Sequence, residues 1–101
     1  MKPSIGRIVH YSLSQQDAEA INRRRRDFHE GGGASEQRGF IGHVGNHAEE
    51  GDIYPAVVVR VWEESTITVN LQVFLDGNDA FWATSRAEGT EAGTWAWPER
   101  V

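Results

Sequence analysis

The sequence predicts a small, mainly β domain of the α+β class: an SH3-like or OB-like antiparallel barrel, or a curled sheet, with one N-terminal helix. Three observations carry this expectation. Short β-branched and aromatic stretches recur between turn residues from residue 53 to residue 97. Residues 66–75 alternate between an apolar face and one that is polar but for Phe74. Only one stretch, after Ser14, has helical spacing with a capping residue in front of it. The 101 residues fit one domain, and no internal repeat divides them.

The elements follow in order. Residues 5–13 read as a first strand, with Val9, Tyr11 and Leu13 on one face and Ile8 and His10 on the other. Ser14 is an N-cap, and Asp17 stands where a capping box places its short acidic partner. A helix is expected from Gln15 to about Arg26. Its stripe of Ala18, Ile21 and Arg25 is thin, which places it on the rim of a barrel and outside the core. From Asp27 to Gly51 the pattern fades around Gly31-Gly32-Gly33, with Phe40, Ile41 and Val44 as the anchors of a long loop, a feature that is often functional or mobile. Ile53 to Trp62 is valine-rich and fits a strand buried on both faces, with Pro55 marking an edge or bulge near its start. Glu63-Glu64-Ser65 makes a turn. Thr66 to Leu75 then sends Ile67, Val69, Leu71, Val73 and Leu75 one way, and Thr66, Thr68, Asn70, Gln72 and Phe74 the other. Asp76-Gly77-Asn78-Asp79 is a hairpin turn, Ala80 to Ser85 a further strand, Glu88 to Gly93 a loop, and Thr94 to Trp97 a last strand stopped by Pro98.

Composition narrows the chemistry. The absence of cysteine removes disulfides, thiolate metal sites and cysteine nucleophiles. No apolar signal region opens the chain, and the longest apolar run, Ala56-Val57-Val58-Val59, is too short to span a bilayer; a cytoplasmic location without membrane contact is expected. The net charge of −5 argues against direct DNA binding. The halves differ, however: residues 1–47 carry +2 and residues 48–101 carry −7. Nine of the ten basic residues are arginine, whose planar fork suits phosphate, although a GC-rich coding genome gives the same bias.

Candidate ligand-binding residues come from arginines, aromatics and amides. Arg23 to Arg26 close the helix, and Arg23 and Arg26 share a face as i and i+3, the spacing of a phosphate clamp; a solvated helix terminus is the plainer reading. Asn22 beside them would read a base edge or ribose, and Arg60 or Arg86 would add to the phosphate contacts. Ten aromatics, four of them tryptophan, offer stacking surfaces as well as core. Trp82 is one such surface; Trp95 and Trp97 fall on one strand face. Phe74, flanked by Asn70 and Gln72, makes a base reader or else a hairpin face packed under the helix, and Thr84 gives a further polar contact.

Catalytic and metal signals are weak. Asp76 and Asp79 sit in a turn that wants aspartate for backbone reasons, Ser85 has no motif around it, and Gly31-Gly32-Gly33 lacks the lysine of a phosphate loop. His43, His47 and Asp52 are the only local metal candidates; His43 and His47 are spaced i, i+4, but Gly45 and Asn46 between them argue against the helix that would make the spacing a metal face. No catalytic residue, metal or cofactor is assigned; a nucleotide-directed hydrolase is the main enzymatic rival.

One resemblance covers nearly the whole chain except residues around Gly31 to Gln37. Gly6-Arg7-Ile8-Val9-His10-Tyr11, Ile21-Asn22-Arg23-Arg24-Arg25, Gly45-Asn46, and Gly51 through Trp62 belong to it. So do Val69 through Val73, Leu75-Asp76-Gly77-Asn78-Asp79, Trp82-Ala83-Thr84-Ser85, Gly93-Thr94-Trp95 and Trp97-Pro98-Glu99-Arg100. Together they resemble a family of small tailed-phage and prophage proteins. The resemblance implies a phage origin and carries over no catalytic residue. Small phage proteins outside the virion often counter host defence, some as sponges for nucleotide immune signals. The expectation is therefore a phage-encoded protein that sequesters an anionic, nucleotide-type ligand, such as a cyclic nucleotide or ADP-ribose-type signal, without catalysis. An acidic module that inhibits a host protein is the alternative, and a phage structural or accessory protein the second. Edge strands on a small barrel favour a homodimer or higher homo-oligomer that could build sites across its interface.

Overall fold

The computed structural model describes residues 2–31, 45–63 and 67–99 of the chain. Expectations resting on Gly32 and Gly33, Phe40, Ile41, His43, Val44 and residues 64–66 lie outside the described residues.

Strand β1 (Ile8–Ser12) starts after a turn at Ile5-Gly6, where Gly6 takes φ +92°. Its burial alternates as the sequence requires: Val9 and Tyr11 are fully buried, with Leu13 just beyond, while Ile8 and His10 face solvent. Helix α1 (Gln15–Gly31) begins at the expected cap and runs five residues past the expected end at Arg26. The cap is reciprocal. The Asp17 amide donates to Ser14 Oγ at 3.0 Å, and the Ser14 amide donates to Asp17 Oδ2 at 3.0 Å, so two backbone donors are satisfied at once. The stripe of Ala18, Ile21 and Arg25 is buried as spaced, but Ala18 and Ile21 belong to the core cluster, so the helix is a core element and the rim placement is corrected. Two small or branched apolar side chains suffice because the sheet supplies the bulk beneath them.

The remaining strands are β2 (Ile53–Val61), β3 (Val69–Phe74), β4 (Ala80–Arg86) and β5 (Trp95–Ala96). They form one antiparallel sheet with β1 in the order β4-β3-β2-β1-β5. The sheet curls until its ends meet: the Trp95 amide donates to Ala87 O at 3.1 Å, and Trp95 O accepts from the Gly89 amide at 2.9 Å. The inner face holds Val9, Tyr11, Ala56, Val58, Val69, Leu71, Val73, Ala83 and Trp95, closed by Ala18 and Ile21. This is the curled sheet with one helix that the sequence predicts.

Two details of the strands differ from expectation. β2 is not buried on both faces: Ile53 is 64% exposed and Val59 39%, because the single helix covers one face and nothing among the described residues covers the other. Pro55 sits opposite His10 of β1, and the β2–β3 register begins one residue later at Ala56–Val73, so its missing N–H falls outside that ladder. The alternation through β3 also breaks at its start, where Ile67 is 45% exposed and Asn70 is buried. Register shifts on both sides, between Val58 and Arg60 and between Val69 and Leu71, account for the change.

Candidate functional site

The outer face of the sheet is covered by no element among the described residues. Register fixes its composition. Ile8 pairs with Val57, Val57 with Gln72, and Gln72 with Trp82, which makes one row across four strands. Phe74, two residues along β3 from Gln72, pairs with Ala80. In the other direction Arg60 pairs with Asn70, and Val59, the residue skipped in the register, lets Arg60 point outward and Val61 inward. Trp82 is 60% exposed, Phe74 49% and Trp62 43%. None of the outward strand residues Ile8, His10, Ser12, Ile53, Pro55, Val57, Arg60, Gln72, Phe74, Ala80, Trp82 and Thr84 is acidic, in a chain with 15 Asp and Glu.

Six of the expected ligand-binding residues therefore lie together: Arg60, Asn70, Gln72, Phe74, Trp82 and Thr84. Their parts differ. Asn70 is 6% exposed, and its Oδ1 accepts from Trp62 Nε1 at 2.9 Å and from the Ser85 amide at 2.7 Å. It is a scaffold under the face, with its side-chain oxygen committed to those two donors. Ser85 adopts φ 55°, the left-handed region that a side chain enters at a cost, and the Asn70 bond holds it there. The same bond positions Trp62, over whose ring the Arg60 guanidinium stacks at 4.0 Å. Asn70→Ala is thus expected to destabilise the fold by about 2–3 kcal/mol, because two donors lose one buried acceptor. Chemical denaturation measures the loss, and Trp62 fluorescence should shift with it.

Six other candidates are not at this face. The Asn22 amide is bonded both ways to the Ala48 backbone, accepting at 3.0 Å and donating at 2.8 Å, so it ties α1 to residue 48 and has no base edge to read. Arg86 turns inward. It donates to Asp17 Oδ1 at 2.8 Å and lies 5.7 Å from the Tyr11 ring centroid. Trp95 is fully buried, with Nε1 donating to Ile67 O at 2.9 Å, and Trp97 packs edge-on against it at 5.4 Å. Both are core or core-flanking. Arg23 and Arg26 are exposed. Two helical steps from Ile21 turn Arg23 by about 200°, away from the sheet. The helix arginines and the aromatic face thus lie on opposite sides of the molecule, and no small ligand on one copy touches both.

The other two arginines of the run are structural. Arg25 donates to Asp79 Oδ1 at 2.8 Å and to Asn46 O, and Arg24 reaches Asp79 Oδ2 at 2.8 Å. They latch the helix to the β3–β4 turn. The bond from Arg25 above all, then that from Arg24, holds the Asp79 carboxyl below the ordinary aspartate range against the opposing effect of burial. A depressed folded value means stability that is whole above the unfolded aspartate value and is lost as pH falls through the folded one. Asp79→Asn should therefore flatten the acid limb of a stability–pH profile below about pH 4.

Two clefts border the outer face. One, of about 480 Å³, is lined by Lys2, Pro3, Ser4, Ile5, Arg60 and Val61. The other, of about 350 Å³, lies beside β5 between His10, Ser12, Ile53, Thr90, Thr94, Trp97 and Glu99. Lys2 and Trp62 were not among the sequence candidates. Trp62 was legible as the next outward position after Arg60; Lys2 had no signal. Among the described residues no group of three His, Asp or Glu converges as a metal site, and His43 lies outside them. No helix among the described residues is long and apolar enough to cross a membrane.

No protein family, no curated protein and no solved structure matches the chain.

Proposed function

We propose that the chain is a binding module that sequesters an anionic, nucleotide-type ligand on the outer face of its sheet. Trp82 and Phe74 stack planar rings, Trp62 backs the Arg60 guanidinium, and Gln72 and Thr84 meet the polar edges of the ligand. The supporting observation is one surface: three exposed aromatics beside an amide and an arginine, with no carboxylate among its described strand residues, in a chain of net charge −5. Base stacking on such a platform contributes roughly 1–3 kcal/mol per ring and tolerates different bases. Binding is stoichiometric, and the ligand leaves unchanged. The resemblance to small phage proteins gives the setting: the host cytoplasm, with a cyclic nucleotide or ADP-ribose-type immune signal as the ligand. Homo-oligomerisation is a separate proposal, checked by light scattering with and without ligand.

Thermal unfolding against cyclic di- and trinucleotides, ADP-ribose derivatives and linear dinucleotides tests the reading. A ligand at about 100 times its dissociation constant should add roughly 2.7 kcal/mol of stability, with intact ligand recovered on heating. Altered ligand would make the protein an enzyme. No shift across the panel would refute the reading and leave the acidic protein-interaction module in its place.

A further inference from the structure

Resting on that reading, we propose that the cleft between Lys2 and Arg60 is the phosphate subsite of the outer face, and that the ligand is of dinucleotide length. The cleft is lined by two cations and no acid. Neither cation has an ion pair among the described residues, whereas Arg24 and Arg25 are held by Asp79 and Arg86 by Asp17. Arg60 is also fixed in place. Its guanidinium carbon lies over the Trp62 ring, 4.0 Å from the centroid, and the Trp62 indole is bonded to Asn70. A guanidinium held over a ring keeps N–H groups to donate to phosphate oxygens. Buried Pro3 anchors Lys2 beside it.

Both ends of the face lead into acidic turns: β3 runs to Asp76 and Asp79, the latter held by Arg24 and Arg25, and the chain after β2 runs past Trp62 to Glu63-Glu64. What sets the Arg60 end apart is its two cations without an ion pair among the described residues, and a phosphate is attracted there. The separation sets the ligand's length. Arg60 pairs with Asn70, and Phe74 lies four residues further along β3. That is about 14 Å at strand rise. Trp82, opposite Gln72, stands midway. A nucleoside monophosphate covers only part of this path; a dinucleotide places a phosphate at the cleft and its bases on Trp82 and Phe74.

Tryptophan quenching by adenosine, adenosine monophosphate and the adenylate dinucleotide pApA tests the proposal. The natural protein should bind pApA roughly tenfold or more tighter than adenosine, and added salt should erode that gain. In Arg60→Gln and in Lys2→Gln the ratio of the two affinities should shrink toward unity, with circular dichroism confirming the fold. Lys2→Gln, at an exposed position, keeps the test open should Arg60→Gln not fold. A ratio that survives both substitutions, or collapses instead in Arg23→Gln/Arg26→Gln, overturns the subsite and leaves the base-binding reading standing. Absence of binding by all three probes overturns that reading, and the subsite with it.

Discussion

Asp17→Ala is expected to destabilise the protein by about 3–5 kcal/mol, the largest effect of any single substitution considered. Asp17 is 2% exposed and collects three donors. Tyr11 Oη donates to Oδ2, the Ser14 amide donates to Oδ2 at 3.0 Å, and Arg86 donates to Oδ1 at 2.8 Å. Removing the carboxylate strands a cation over the Tyr11 ring and leaves the Tyr11 hydroxyl buried without its acceptor. It also opens one half of the helix cap. Burial first, then the bond to Asp17, pushes the Tyr11 hydroxyl well above the ordinary tyrosine value, so it stays protonated and donates throughout the usable pH range. Since small domains are stable by only about 5–15 kcal/mol, the variant should be largely unfolded at modest urea. Asp17→Ala/Arg86→Met should recover part of the loss, because the stranded cation goes too. Equal destabilisation in the single and double variants would show that the cap, and not the ion pair, is what matters.

Trp82→Ala is expected to do the opposite: little to stability and much to binding. The side chain is 60% exposed on the open face, and such surface substitutions usually fall within about 0.5 kcal/mol of neutral. One stacked base is worth roughly 1–3 kcal/mol, so affinity for a nucleotide-type ligand should fall about ten- to hundredfold. Phe74→Ala should act in the same sense and Gln72→Ala less. Paired denaturation and titration curves separate the two quantities. A Trp82→Ala protein with unchanged affinity would remove the platform from the account.

Local patterns carried most of the fold. The alternation from Leu71 to Leu75, the Ser14–Asp17 cap and the Asp76–Asp79 turn each express short-range chemistry, and each stands where the sequence places it. Longer-range relations were silent. Nothing local says that Asp79 pairs with Arg24 and Arg25, 55 and 54 positions away, or that Arg86 meets Asp17, 69 away. Those pairings take three arginines away from any ligand. The bulges mattered most for the site. A shift at Val59 turns Arg60 outward, and one between Val69 and Leu71 accompanies the inward turn of Arg86. Counting by twos along the strands leaves both ambiguous. Trp95 and Trp97 were read as a possible surface because alternation identifies a shared face without saying which side the core lies on.

Chemical-shift mapping of the isotope-labelled protein with pApA tests most directly whether ligand lies on the outer face of the sheet. The indole N–H signals of Trp62 and Trp82, the Gln72 side-chain amide and the backbone of β3 and β4 should move in a saturable way. Trp95 and the exposed arginines of α1 should stay still. Shifts confined to α1 around Arg23 and Arg26, with the four sheet markers unmoved, would contradict it and return the site to the helix.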